Sequence, residues 1–205
     1  MRTPAEAAYK LATRLNAHVA GLIAALCLLF LATGAEAQIS AAGHHPRYHV
    51  ELEPHLVWQW TGDEAAFGDG IGFGFRASIP IMQDGPVSTI NNNLAISFGL
   101  DWACFPDCRA YQDQRCGEHD FWVPITMQWN FFISSVVSLF PEFGLGFRDA
   151  IFDYDAECTP RGCRYSSLEV HPVMWFGARF TLARGFAIVT RLGVPSLQLG
   201  AAFTL

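Results

Sequence analysis

Between positions 166 and 171 the chain carries Ser166, Ser167, Glu169 and His171. A hydroxyl, a carboxylate and an imidazole are the groups of a base-activated nucleophile, so Ser167, Glu169 and His171 form the candidate catalytic set. A second population is ionic. Glu51, Glu53, Asp101, Glu142 and Glu169 stand against Arg76, Arg148, Arg179 and Arg191, with His49, His55 and His171 among them. A third is the thiols. Cys158 and Cys163 bracket Thr-Pro-Arg-Gly and make a candidate disulfide, and two of Cys104, Cys108 and Cys116 make a second; the odd count leaves one thiol over. Zinc held by these thiols and His119 is the competing reading, and an oxidising compartment favours disulfides. Asp153, Asp155 and Glu157 offer oxygen ligands without the full pattern of a calcium loop, and His44-His45 is an adjacent imidazole pair near a chain end. Neither is read as a metal site. Gly70-Ile71-Gly72-Phe73-Gly74 reads as a strand with small residues on one face rather than a phosphate cradle, and no cofactor is expected.

The elements that position these groups follow from alternation. In a hairpin over 121–148, Val123, Ile125, Met127, Trp129 and Phe131 share one face, and Pro124, Thr126, Gln128 and Asn130 the other. After Ser134-Ser135 the pattern resumes: Val137, Leu139, Pro141, Phe143, Leu145 and Phe147 oppose Ser138, Phe140, Glu142, Gly144, Gly146 and Arg148. Successive strand side chains point to opposite faces, so each arm has one apolar side. The same reading gives strands over 48–60, 71–82, 93–103, 168–182, 186–193 and 197–205, with long polar loops over 104–120 and 149–167. Arms of about ten residues suffice to cross a bilayer as tilted strands. The implied fold is all-β: an eight-stranded antiparallel up-and-down transmembrane β-barrel with its apolar face to lipid. Its polar face then fills the interior with a charge network of Glu51, Glu53, Arg76, Asp101, Glu142, Arg148, Glu169, His171, Arg179 and Arg191.

Residues 1–37 read as a cleaved export signal: Arg2, Lys10 and Arg14, an apolar run over 19–32, then Ala35-Glu36-Ala37. Residues 38–47 read as a flexible leader and 48–205 as the barrel. The whole chain is 51% hydrophobic and 14% aromatic, and after position 37 no apolar run is long enough for a spanning helix, which is what alternating membrane strands give. Lys10 is the only lysine, and no basic stripe for nucleic acid is present. Trp58, Trp60, Trp102, Phe121 and Phe147 fall at one set of strand ends, and Trp129, Phe131, Phe180, Phe186 and Phe203 at the other, as two interfacial girdles would. Pro54, Pro80, Pro124, Pro141 and Pro172 lie inside strands, where each removes a ladder donor, so bulges or bends are expected at several of them.

The final strand, Leu197-Gln198-Leu199-Gly200-Ala201-Ala202-Phe203-Thr204-Leu205, resembles the terminal signal strand of bacterial outer-membrane proteins, with its aromatic at Phe203 rather than at the last position. The mature chain resembles small eight-stranded outer-membrane barrels. The resemblance implies residence in the bacterial outer membrane with both termini periplasmic, contact with outer-membrane lipid, and recognition by the barrel-insertion machinery during assembly. The function read from these features is a barrel with a charge-paired, largely closed lumen and disulfide-braced external loops, structural or engaged in contact with an external protein or the envelope. The alternatives are a lipid-modifying hydrolase using Ser167, Glu169 and His171, and a narrow pore or small-solute-binding barrel; the sequence does not favour an enzyme.

Overall fold

The computed structural model describes residues 39–60, 69–105, 117–153 and 164–205. Eight strands follow in order: β1 (Glu51–Gln59), β2 (Gly70–Met82), β3 (Asn92–Phe105), β4 (Gly117–Phe132), β5 (Val137–Asp153), β6 (Arg164–Ala183), β7 (Phe186–Val194) and β8 (Ser196–Thr204). Each pairs antiparallel with its neighbours, and β1 pairs with β8 to close the barrel, with Glu51 opposite Thr204 and Gln59 opposite Ser196. Among the described residues no helix is long and apolar enough to cross a membrane.

The alternation in the sequence is the alternation in space. Leu56, Ile71, Phe73, Phe98, Leu100, Ile125, Phe143, Leu145, Val170 and Leu199 are exposed on the outer face. Glu51, Glu53, His55, Arg76, Ser97, Asp101, Thr126, Gln128, Glu142, Arg179 and Arg191 are buried inside. His49 departs from the expected inward face: it precedes β1 and is exposed. Two connections show why the chain turns where it does. Gly85 adopts φ 63° in the turn after β2, a conformation a β-carbon disfavours. The Asn92 side chain ties that turn by donating to the carbonyls of Val87 at 2.7 Å and Ile90 at 2.8 Å. In the turn after β4, Ser134 Oγ accepts from the backbone of Val137 at 3.0 Å.

Three expectations change. First, β3 runs on to Phe105, β4 starts at Gly117, β5 ends at Asp153 and β6 starts at Arg164. The polar stretches taken for loops are therefore partly strand: pairing alone, with no apolar face to bury, extends the wall there, with Gly117 opposite Asp153 and Asp153 opposite Arg164. Second, the prolines do not bend the barrel generally. The register shifts at one of them, between Pro80 and Met82. At Pro54, Pro124 and Pro141 the ladder to one neighbour skips and resumes unshifted: Leu52 pairs with Phe203 and His55 with Gly200, Phe98 with Ile125 and Asp101 with Trp122, Gln128 with Glu142 and Phe131 with Leu139. The missing donor is absorbed by a local gap while the other edge stays paired, as Pro54 with Phe75 and Pro141 with Phe176.

Third, residues 39–47, expected as a flexible leader, are fastened to the barrel's terminal end. The His45 ring is buried, stacks on Phe132 at 4.3 Å and 4°, and lies 2.7 Å from Asn91 Oδ1. The backbone of Asn91 donates to the Ile39 carbonyl at 2.7 Å, and Arg47 pairs with Asp84 at 3.2 Å. A polar segment reaches this order because a barrel mouth offers unpaired backbone and an aromatic ring together.

Candidate functional site: the charged lumen

Each strand delivers every second side chain to the interior, so the network is assembled from residues far apart in sequence. At the terminal end, Arg179 on β6 pairs with Glu51 on β1 and donates to Asn130 Oδ1 at 3.1 Å. At the far end, Arg148 on β5 grips Asp120 on β4 with two bonds, Nε to Oδ2 at 2.8 Å and a terminal nitrogen to Oδ1 at 3.0 Å. Gln59 Nε2 adds a bond to Asp120 at 2.7 Å. Between these pairs lies a larger cluster. Arg191 binds Glu53 through one terminal nitrogen and Glu142 Oε2 through Nε at 2.8 Å. Arg76 binds the other Glu142 oxygen and reaches Asp101 Oδ2 at 3.2 Å. His55 Nε2 lies 2.9 Å from Asp101 Oδ1, and its Nδ1 lies 3.8 Å from Glu53 Oε1. Six side chains from five strands thus form a closed ring in which acid and base alternate. Thr126 Oγ1 donates to Glu142 at 2.6 Å and Gln198 Nε2 to Asp101 at 2.9 Å, filling remaining acceptor sites.

The interior is not wholly polar. Phe140 packs with Ala187, Val189 and Ala202, and Trp122 with Val173 and Trp175. Each buried arginine lies over one of these rings: Arg76 is 4.6 Å from the Trp175 centroid, Arg148 is 6.0 Å from that of Trp122, and Arg179 and Arg191 are 5.4 Å and 5.1 Å from that of Phe140. The rings attract the guanidinium faces while the edges serve carboxylates. Glycine makes the fit possible at two points. A β-carbon on Gly177 would stand 2.2 Å from the Phe140 ring, and one on Gly74 would stand 2.3 Å from Asp101 Oδ1 and 2.5 Å from His55 Nε2.

The expected lumenal residues Glu51, Glu53, Arg76, Asp101, Glu142, Arg148, Arg179 and Arg191 all come together inside. Glu169 and His171 meet the buried network only at its half-exposed edge. They form a pair at 2.8 Å at the rim, with their side chains about two-fifths exposed, and Arg148 lies 3.9 Å from Glu169. The catalytic set is separated by its own strand. Ser167, Glu169 and His171 all lie in β6, and a strand rises about 3.3 Å per residue, so the backbone positions of Ser167 and His171 stand about 13 Å apart, beyond the reach a serine–histidine pair needs. Ser167 is described by its backbone alone. Sequence reasoning missed Asp120, read as loop, and the interior rings Trp122 and Trp175; extending the alternation one step beyond each proposed strand places Asp120 inside, and parity with Arg179 does the same for Trp175. Cys104 lies on β3 and forms no disulfide among the described residues. Cys108, Cys116, Cys158 and Cys163, the triplet Asp153, Asp155 and Glu157 as a whole, and residues 1–37 lie outside the described residues.

No family model and no curated protein matches this chain. Among solved structures it is similar to Ail, the attachment invasion locus protein of Yersinia pestis, with 14% identity over 78% of this chain and 100% of that chain, at a TM-score of 0.51. Neisserial surface protein A has 10% identity over 77% of this chain and 97% of that chain, at a TM-score of 0.49. Ail is called an outer membrane protein in its structure from a phospholipid bilayer nanodisc. The chain has the fold of a small eight-stranded outer-membrane barrel. At this identity the likeness is one of fold.

Proposed function

We infer that the chain is an integral protein of the bacterial outer membrane, with a lumen closed by paired charges and an external end that serves for contact. The observation that carries this reading is the inverted distribution of side chains. Isoleucine, leucine, phenylalanine and methionine cover the outside of the barrel while the ion pairs lie within it. In water that outer face would be an aggregation surface; in a bilayer it is the side that hydrocarbon solvates. Strands β4, β5 and β6 have 16, 17 and 20 residues, well beyond the roughly 9–11 a bilayer requires. Their excess lies at the end away from the termini, so an even strand count with both termini periplasmic would raise a paired wall above the outer leaflet. Residues 1–37 are the export signal on this reading, the last strand is the handle for barrel insertion, and the acidic loops between β3 and β6 carry the contact surface.

Two measurements test it. The membrane-associated protein is expected to resist carbonate extraction and to require detergent, whereas release by carbonate alone would sink the membrane assignment. Purified barrel in planar bilayers is expected to stay electrically silent; steady nanosiemens openings would replace the closed lumen with a pore. The loop bracing is tested separately by mass spectrometry of the oxidised protein, with a Cys158–Cys163 bridge expected and two alkylatable thiols there as the contrary result.

A further inference from the structure

The buried charges do not balance if only the arginines are counted as cations. Among the described residues the buried carboxylates are Glu51, Glu53, Asp101, Asp120 and Glu142, and the buried arginines are Arg76, Arg148, Arg179 and Arg191. Arg179 matches Glu51 and Arg148 matches Asp120. What remains is the central ring, with three carboxylates, Glu53, Asp101 and Glu142, against two guanidiniums, Arg76 and Arg191. An unmatched carboxylate in a dry interior is expensive. The sixth member of the ring is His55, whose side chain is fully buried.

The contacts of the imidazole give the answer. Its Nε2 faces Asp101 Oδ1 at 2.9 Å, and its Nδ1 faces the Glu53 carbonyl oxygen at 3.2 Å with Glu53 Oε1 behind it at 3.8 Å. The carbonyl oxygen can only accept, and the same holds for the carboxylate while it is ionised. A neutral imidazole has one donor nitrogen and one lone pair, so either tautomer would set a lone pair against an oxygen; only the doubly protonated ring donates at both. The surroundings hold the ring in place. Gly74 on β2 and Gly200 on β8 leave the room it occupies, since a β-carbon on Gly200 would stand 2.8 Å from His55 Cβ. Asp101 is held from its other side by Arg76 on β2 and Gln198 on β8, and Glu53 by Arg191 on β7.

We propose that His55 is an imidazolium in the folded barrel, the third cation of an alternating six-membered ring that it brings to electrical neutrality. The proton is a structural component of the plug, bound between Glu53 and Asp101. The inference rests on hydrogen-bond geometry and charge count, and holds whether or not the lumen conducts.

Nitrogen-15 spectra of histidine rings, taken on the detergent-solubilised barrel at neutral pH, test it directly. Both His55 ring nitrogens are expected to carry protons, at the shifts of an imidazolium. A single protonated nitrogen would overturn the proposal and move the missing proton to a carboxyl group. The signal is assigned by its loss in His55→Gln or, should that variant not fold, by replacing His44, His45, His49, His119 and His171 with glutamine so that His55 remains alone in the mature chain. Charge balance gives a second readout. His55→Gln removes a positive charge from the ring and Asp101→Asn a negative one, so the double variant is expected to unfold at a higher urea concentration than either single variant. A double variant no more stable than the weaker single variant would count against an imidazolium.

Discussion

Glu142 is the residue on which most of the interior converges, since Arg76, Arg191 and Thr126 all donate to it. Glu142→Leu takes one of two carboxylate partners from each of two buried guanidiniums, and removing one partner of a buried ion pair costs about 3–5 kcal/mol. Thr126→Val removes one hydroxyl bond, worth about 1 kcal/mol. Urea unfolding in detergent is expected to separate the two by several-fold in stability lost. Tyr48, placed before β1 and buried, gives a pH dependence: burial, with the neighbouring Glu51 adding to it, pushes its phenol up from 10.0 to about 12. A group raised in this way favours the folded state only while protonated, so its contribution is complete below pH 10.0 and lost as pH rises to about 12. Loosening of the terminal segment in that alkaline window is expected by hydrogen exchange, and Tyr48→Phe should abolish its pH dependence. At this scale the sequence was legible wherever parity sufficed. Arg76 and Glu142 could be placed inside, but nothing in the spacing said that they touch, because partners 66 positions apart meet only when the barrel closes.

The strands carry the clearest sequence signal and the least reliable ends. Alternation of Phe, Ile and Leu with Gly, Ser and charge sets register, since a slip of one residue would turn Arg76 and Glu142 to the outside. Beyond the apolar band that signal stops while hydrogen bonding continues, which is why 117–120 and 149–153 read as loop and fold as strand. The prolines misled for a related reason: a strand in a barrel has two edges, and a missing donor disturbs only one of them. The register makes a depth test available. Phe143 is exposed in mid-β5, between Met127 and Met174, and Met82 is exposed at the end of β2. An outward arginine costs about 2–4 kcal/mol at the bilayer midplane and about 0–1 near the interface. Phe143→Arg should therefore lower the yield of heat-modifiable barrel far more than Met82→Arg. Equal losses would mean that the outer face does not meet hydrocarbon.

For the molecule as a whole, closure changes what each interaction is worth. Pairing of β1 with β8 removes both sheet edges and shuts the ionic network away from water, where salt cannot screen it. The barrel is expected to keep its unfolding midpoint between low and molar sodium chloride, while a network open to solvent would weaken progressively over that range. The fold class was legible because period-two alternation over eight segments admits few architectures. The closed ring was not, because it belongs to no segment: β1, β2, β3, β5 and β7 each supply part of it. The seated terminal segment was invisible for the same reason, since His45 gains its place only once Phe132 and Asn91 form a surface.

The tight turn between β6 and β7 has a bearing on transport of the unfolded chain. Residues 172–194 form 23 consecutive positions whose only charged members are Arg179, Arg184 and Arg191. Without those charges the stretch would have the length and hydrophobicity of a membrane-spanning helix, for which about 20 apolar residues suffice. An arginine near the centre of such a helix opposes insertion by about 2.5–3.5 kcal/mol. If the chain crosses the inner membrane unfolded, Arg184 at the middle of the stretch, with Arg179 and Arg191 to either side, would act before there is a barrel by keeping this hairpin from being captured there. Replacing all three arginines with leucine is expected to leave the precursor in the inner-membrane fraction, even when Glu51 and Glu53 are neutralised alongside them. Normal outer-membrane recovery of that combined variant would show that the arginines matter only after folding.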